Sequence, residues 1–132
     1  MKASSLENLI LIDTNIWVDH FQFARPQVSA LLDAGRVVMH PYIVAELALG
    51  GLHDRHLTLG SLELLPMLPV AALDEVRQLI ELRKLYTVGI GFVDAHLLAS
   101  LVIVQTPTEM WTSDVALRRA AESFGFRADP PF

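Results

Sequence analysis

Residues 9–12 read Leu-Ile-Leu-Ile, and the next residue is Asp13. Four adjacent aliphatic residues are too few for a helix and leave no polar face. Such a run is a strand covered on both sides, the environment of a parallel sheet. The rest of the chain repeats this arrangement. Arg36–His40 (RVVMH) and Glu109–Thr112 (EMWT) read as further strands, with shorter candidates at Leu68–Val70 and Phe126–Ala128. Helical stretches lie between them: Thr14 to about Phe21, Pro26 to the stop at Gly35, Ile43–Leu49 closed by Gly50 and Gly51, and His53–Leu65. They continue with Asp74–Tyr86, which has Val76, Leu79, Ile80 and Arg83 at helical spacing, then Phe92–Val104 and Val115–Phe124. Gly89 and Gly91 form a turn. Strand and helix in alternation predict an α/β fold, with a central, mostly parallel sheet flanked by helices on both faces.

The chain has 132 residues, the length of one domain, here read as spanning 1–132. Hydrophobic residues make up 52% of it, which excludes a disordered chain. The longest apolar run, Leu97–Val104, is broken by Ser100 and falls far short of the roughly 20 residues of a spanning helix. It reads as a core helix, and no membrane association is expected. The N-terminus has one lysine and too short an apolar run for a signal peptide. There are no cysteines, so disulfides, thiolate zinc sites and cysteine nucleophiles are excluded, and a cytoplasmic location fits. The formal charge of −5 argues against an extended nucleic-acid-binding surface.

Most acids need no special account. Asp33, Glu63, Glu75, Glu81 and Glu122 fall on polar helix faces or near caps. Four others do not fit so easily. Glu46 sits in IVAELALG, where the neighbours leave little polar face, and Asp94 sits near the start of FVDAHLLASLVIV. Asp13 and Asp114 each stand where a strand hands over to a helix. Taken singly, Asp13 and Asp114 are explained as N-caps, Asp94 by the helix dipole, and Glu46 by a solvent-facing stripe. Taken together they point elsewhere. In a parallel sheet, ligands bind outside the carboxyl ends of the strands. Asp13 and Asp114 would share that edge, and Glu46 and Asp94 would join them in one cleft. Clustered carboxylates repel unless a cation lies between them, and hard oxygen ligands favour Mg²⁺ or Mn²⁺. Such a site suits phosphodiester hydrolysis.

In these motifs the sequence resembles PIN-domain ribonucleases, in particular the VapC-type toxins of toxin–antitoxin pairs. LIDTNIWVDH looks like the opening strand and first acid, AEL with Glu46 like the second, GFVDAHLLAS with Asp94 like the third, and WTSD with Asp114 like the fourth. The resemblance spans essentially the whole chain. It implies a PIN-like three-layer domain and a metal-dependent endoribonuclease whose Asp13, Glu46, Asp94 and Asp114 hold the ion and are catalytic. It further implies that Thr14, Asn15, Thr112 and Ser113 orient those acids or hold water at the ion. An RNA substrate, a homodimer and a cognate protein antitoxin in the active-site groove also follow from the likeness. The family often has a further acid two residues after the fourth. Here that position is Ala116, so a second ion would lack a fifth carboxylate.

If the four acids converge on a cation, the remainder of the chain is close to neutral. Arg118 and Arg119 follow Asp114 on the next helix and are candidates for contacting RNA phosphates; a solvated face or a salt bridge is the plain alternative. His53 and His56 are spaced like zinc ligands but lack supporting Cys or His, and read as surface residues. His96, two residues after Asp94, faces away from it on a helix. Trp17, Trp111 and the phenylalanines read as core. Two other readings stay open. An aspartyl phosphotransferase-like enzyme would use Asp13 as nucleophile, but Asn15 stands where a D-x-D motif needs its second acid, and no lysine follows Lys84. A degenerate domain serving only as a binding or scaffold module would have no need of all four acids.

Overall fold

A computed structural model describes residues 8–126 and 129–130. Three parallel strands form the sheet: β1 (Leu9–Ile12), β2 (Val37–Val38) and β3 (Thr108–Trp111), in the order β2-β1-β3. Central β1 pairs Ile10 and Leu11 with Val37 and Val38 on one side, and Leu9–Ile12 with Thr108–Trp111 on the other. Ile10, Leu11 and Ile12 are all buried, as a strand covered on both faces requires.

Seven α-helices among the described residues flank the sheet: α1 (Thr14–Phe23), α2 (Pro26–Asp33), α3 (Pro41–Ala48), α4 (Arg55–Glu63), α5 (Leu73–Leu82), α6 (Phe92–Ile103) and α7 (Val115–Ser123). Beyond β2, Met39 makes a parallel bridge to Met67. The chain thus steps outward from β1 through β2 to Met67 by way of α1–α4, then returns past β1 to β3 by way of α5 and α6. Parallel crossovers are right-handed, so the two sets of helices cover opposite faces. The packing agrees: α1 lies against α3 and α3 against α4, while α5 lies against α6. Residues Ala95–Leu101 of α6 are buried without a break, so this helix is the apolar centre of its layer. No helix among the described residues is long and apolar enough to cross a membrane.

Several local expectations are corrected. The predicted strand Arg36–His40 keeps only Val37 and Val38 in the sheet. Met39 leaves it to accept from the backbone N–H of Leu68 at 2.8 Å, and His40 turns to cap α3. The candidate strand Leu68–Val70 reduces to that one bridge at Met67, because Pro69 has no N–H to continue a ladder. The helix expected over Asp74–Tyr86 stops at Leu82. Arg83 donates to the Ser123 carbonyl and lies over the Phe124 ring, so tertiary contacts draw the chain off the helix path. Lys84 then adopts a left-handed φ of 53° before a 3-10 turn at Leu85–Thr87. Of the strand expected at Phe126–Ala128, Phe126 accepts from the Met110 N–H at 2.7 Å, while Arg127 and Ala128 lie outside the described residues. Trp17 and Trp111 are core, but Phe21, Phe23 and Phe92 are exposed, and Val18 is 50% exposed.

Candidate active site

β1 and β3 are parallel neighbours, so the residues that follow them meet at one sheet edge. Asp13 follows β1, and Thr112, Ser113 and Asp114 follow β3. α6 runs back beneath the sheet toward β3, which brings its N-terminus, with Asp94 in the first turn, to the same edge. α3 leaves β2 at that edge and carries Glu46.

One hydrogen-bond network joins most of these groups. Asp13 is buried, with Oδ1 accepting from the Thr14 N–H at 2.8 Å and Oδ2 from the Thr112 hydroxyl at 2.7 Å. Asn15 Nδ2 donates to Asp13 Oδ2 at 3.2 Å and to Thr112 Oγ1 at 3.3 Å. The Thr14 hydroxyl donates to Glu46 Oε1 at 2.7 Å. Thr112 Oγ1 also accepts from the Asp114 N–H at 3.1 Å, so its one donor and two acceptor sites are all used. Asn15 Oδ1 accepts from the Ser113 N–H at 3.2 Å, so Ser113 joins the network by its backbone. Asp114 caps α7, its Oδ1 accepting from the Leu117 N–H at 2.9 Å, so the plain reading of this acid as an N-cap holds for one oxygen.

The acids feel one another. Burial raises the Asp13 carboxyl above its ordinary value, and Glu46 and Asp114 push it further. The Thr112 hydroxyl and the Thr14 N–H oppose this. Asp94, half-buried, is raised to about 6, first by burial and then by Asp13, Asp114 and Glu46, against one long bond from the Gly91 N–H. Among the described residues none of the four carboxylates forms an ion pair. The donor set is therefore hard, anionic and uncompensated, which fits a divalent cation. As the side chains stand, no three His, Asp or Glu among the described residues converge into a preformed ion cage. An ion would have to draw the carboxylates inward.

Of the other sequence candidates, Arg118 is half-buried and docked on the Thr112 carbonyl, whereas Arg119 is exposed on α7. Ala116 lies in the first turn of α7 and supplies no fifth acid. His53 and His56 are exposed, and His96 is buried against Tyr42 and Phe92. Sequence reasoning missed His40. It is fully buried at the start of α3 and joins that helix to Ser100 of α6 at 2.9 Å. A His before Pro at a helix start was the available signal. Also missed was a groove of about 600 Å³ beside Glu46, walled by Val18, Phe21, Leu47 and Leu57.

Thr112 is the junction of the network, and its removal is testable on folding alone. Thr112→Val leaves Asp13 Oδ2 and the Asp114 N–H without this partner and is expected to destabilise by about 1–3 kcal/mol. Thr112→Ser, which keeps the hydroxyl, should lose less than about half of that. Urea unfolding reads both; equal midpoints for Val and Ser would rule out the hydroxyl as the element that holds the edge.

A family profile described as PIN domain matches residues 10–122, from β1 into α7 and across all four acids. Over 117 residues, 89% of this chain and 94% of the relative, the sequence is 37% identical to Ribonuclease VapC32 of Mycobacterium tuberculosis strain CDC 1551 / Oshkosh. The same figures hold for Ribonuclease VapC32 of strain ATCC 25618 / H37Rv. With the parallel α/β architecture and the acids at its carboxyl edge, the chain belongs to the PIN-domain family, among its VapC-type members.

Proposed function

We propose that the chain is a metal-dependent endoribonuclease and the toxin of a type II toxin–antitoxin pair, built as one PIN domain over residues 1–132. The observation that carries this reading is the elevation of Asp13 and of Asp94, each first by burial and then by acid neighbours, with no ion pair among the described residues to relieve it. Such an arrangement stores electrostatic repulsion that a divalent cation discharges.

Asp13, Glu46, Asp94 and Asp114 would hold Mg²⁺ or Mn²⁺. Bound there, the ion would supply an acidified water for attack on the phosphodiester and neutralise charge on the leaving oxygen. The chain's own residues prepare the site. The Thr14 N–H and the Thr112 hydroxyl donate two short hydrogen bonds to Asp13 that favour its ionised form against burial, and the Thr14 hydroxyl fixes Glu46 with a third. Asn15 keeps Asp13 and Thr112 in register. Asp94 must lose its proton to bind an ion, so activity should rise with pH through about 6.

The groove beside Glu46 is the proposed seat of the antitoxin. Its exposed apolar walls, Val18, Phe21 and Leu57, suit an amphipathic segment, and Glu46 at its end suits a basic side chain. The reading includes a homodimer and a cytoplasmic location.

Purified protein is expected to cleave RNA with Mg²⁺ or Mn²⁺ and to stop with EDTA; equal cleavage in EDTA overturns metal dependence. Expression alone should arrest growth, and Asp13→Asn should relieve the arrest. A folded Asp13→Asn protein that arrests growth as well as the parent overturns the toxin reading.

A further inference from the structure

Next to the acid cluster lies a second pocket of about 300 Å³, lined by Asn15, Asp19, Arg25, Ser113 and Arg118 among others. It shares Asn15 and Ser113 with the network that holds Asp13. Its cations are not equivalent. Arg25 is tied to Asp19 in a two-point ion pair. Arg118 forms no ion pair among the described residues. Its Nε and Nη2 both donate to the carbonyl oxygen of Thr112, at 3.3 and 3.0 Å.

That docking has two consequences. The guanidinium is half-buried and held in one place, so little side-chain freedom remains to be lost when a ligand arrives. Its fork of five N–H donors is only partly used, and the remainder can meet an anion. A fixed positive charge that has no ion pair among the described residues, close to four carboxylates, is unexpected for a side chain that merely stays solvated. A residue selected to neutralise the acids would pair with them. Arg118 instead grips the backbone of the residue whose side chain holds Asp13.

We propose that this pocket binds a phosphodiester of the RNA strand adjacent to the one being cut, with the Arg118 guanidinium and the Ser113 hydroxyl as its donors. The inference rests on the ribonuclease reading above. The strand would then cross the sheet edge with one phosphate at the acids and its neighbour at Arg118. Being a charge contact with the backbone, it adds affinity without choosing a base. Arg119, exposed one position along α7, lacks such anchoring and is not part of the pocket.

The test uses full-length Asp94→Asn protein, so that RNA is bound and not cut. Anisotropy of a fluorescein-labelled single-stranded RNA of mixed sequence is followed against salt concentration. Adding Arg118→Gln should flatten the salt dependence by about 0.7 in log–log slope, which amounts to about fourfold weaker binding near physiological salt. Arg118→Lys keeps the charge and should keep the slope. Ser113→Ala, which leaves the Arg118–Thr112 contact intact, should weaken binding by about fivefold with the slope unchanged. A role limited to stapling Thr112 would move the melting temperature of the Gln variant and not its slope. An unchanged slope with Gln, or equal loss with Gln and Lys, overturns the subsite while leaving the ribonuclease reading intact. The predicted slope changes in a protein whose parent cuts no RNA would uphold the subsite and sink the nuclease. Failure of the Asp94→Asn protein to bind RNA at all overturns the subsite.

Discussion

Asp94→Asn is expected to melt about 5 °C above the parent in metal-free buffer at pH 7.5, while losing RNA cleavage by at least about a hundredfold. The two effects have one origin. Burial and three acid neighbours raise Asp94 to about 6 in the fold, from an ordinary 3.8. A group raised on folding contributes stability that is fully present below its unfolded value and lost as the pH rises through its folded value. Ionised Asp94 therefore opposes folding above pH 6, by about 1–2 kcal/mol once partial exposure is allowed for. Asparagine removes that opposition together with the carboxylate proposed to hold the ion. The melting difference should vanish near pH 4, where Asp94 is protonated in the parent. Saturating Mn²⁺ should raise the parent's midpoint and leave the variant's nearly unchanged. A variant that melts below the parent at pH 7.5, or a difference indifferent to pH, would show that the acids do not repel one another as described.

His40→Leu is expected to destabilise the fold by about 3–4 kcal/mol at neutral pH and to abolish much of its acid sensitivity. The His40 ring is fully buried. Its Nδ1 accepts from the Tyr42 N–H at 3.0 Å, which places the proton on Nε2 and makes it the donor to Ser100 Oγ at 2.9 Å. Leucine fills similar space but leaves a helix-start N–H and a buried hydroxyl unpaired. Ser100→Ala in the same chain should restore roughly a third of the loss, because it removes one orphaned group. Burial, with His96 nearby, lowers His40 to about 4. For a group depressed on folding, the stability present above the unfolded value of 6.5 is lost as the pH falls through 4. The parent should thus lose up to about 3 kcal/mol between pH 6.5 and 4 from this ring alone. Urea unfolding at pH 7.5 and 4.5 measures it; a Leu variant with the parent's full acid sensitivity would exclude His40 as the source. Because His40 ties α3 to α6, its loss also loosens the placement of Glu46 against Asp94.

What the sequence made legible was what neighbouring residues decide. β1 is announced by Leu9–Ile12 and the acid that ends it, and the caps at Asp13 and Asp114 lie within three residues of the N–H groups they accept from. The apolar density of Phe92–Val104 forced a buried helix around any acid it contained, which is why Asp94 stood out. Long-range pairings were hidden. Thr14 reaches Glu46 across 32 residues, and His40 reaches Ser100 across 60. Arg83 ended α5 early by stacking on Phe124, and no local pattern foretells a partner that far away. Arg118 and Arg119 were indistinguishable as a dipeptide; only the turn after β3 separates an anchored guanidinium from a solvated one.

The register of β3 also sets a clock. Thr112 lies 99 residues after Asp13, and β3 supplies the neighbour on one whole side of β1. At about 5–20 residues per second, roughly 5–20 seconds separate the synthesis of Asp13 from that of the residue that holds it. Through that interval Glu46 and Asp94 are added, but the edge that brings them to Asp13 is unformed and Asp114 is not yet made. The carboxyl edge therefore closes late: the acids can meet only after β3 has been made and has paired with β1.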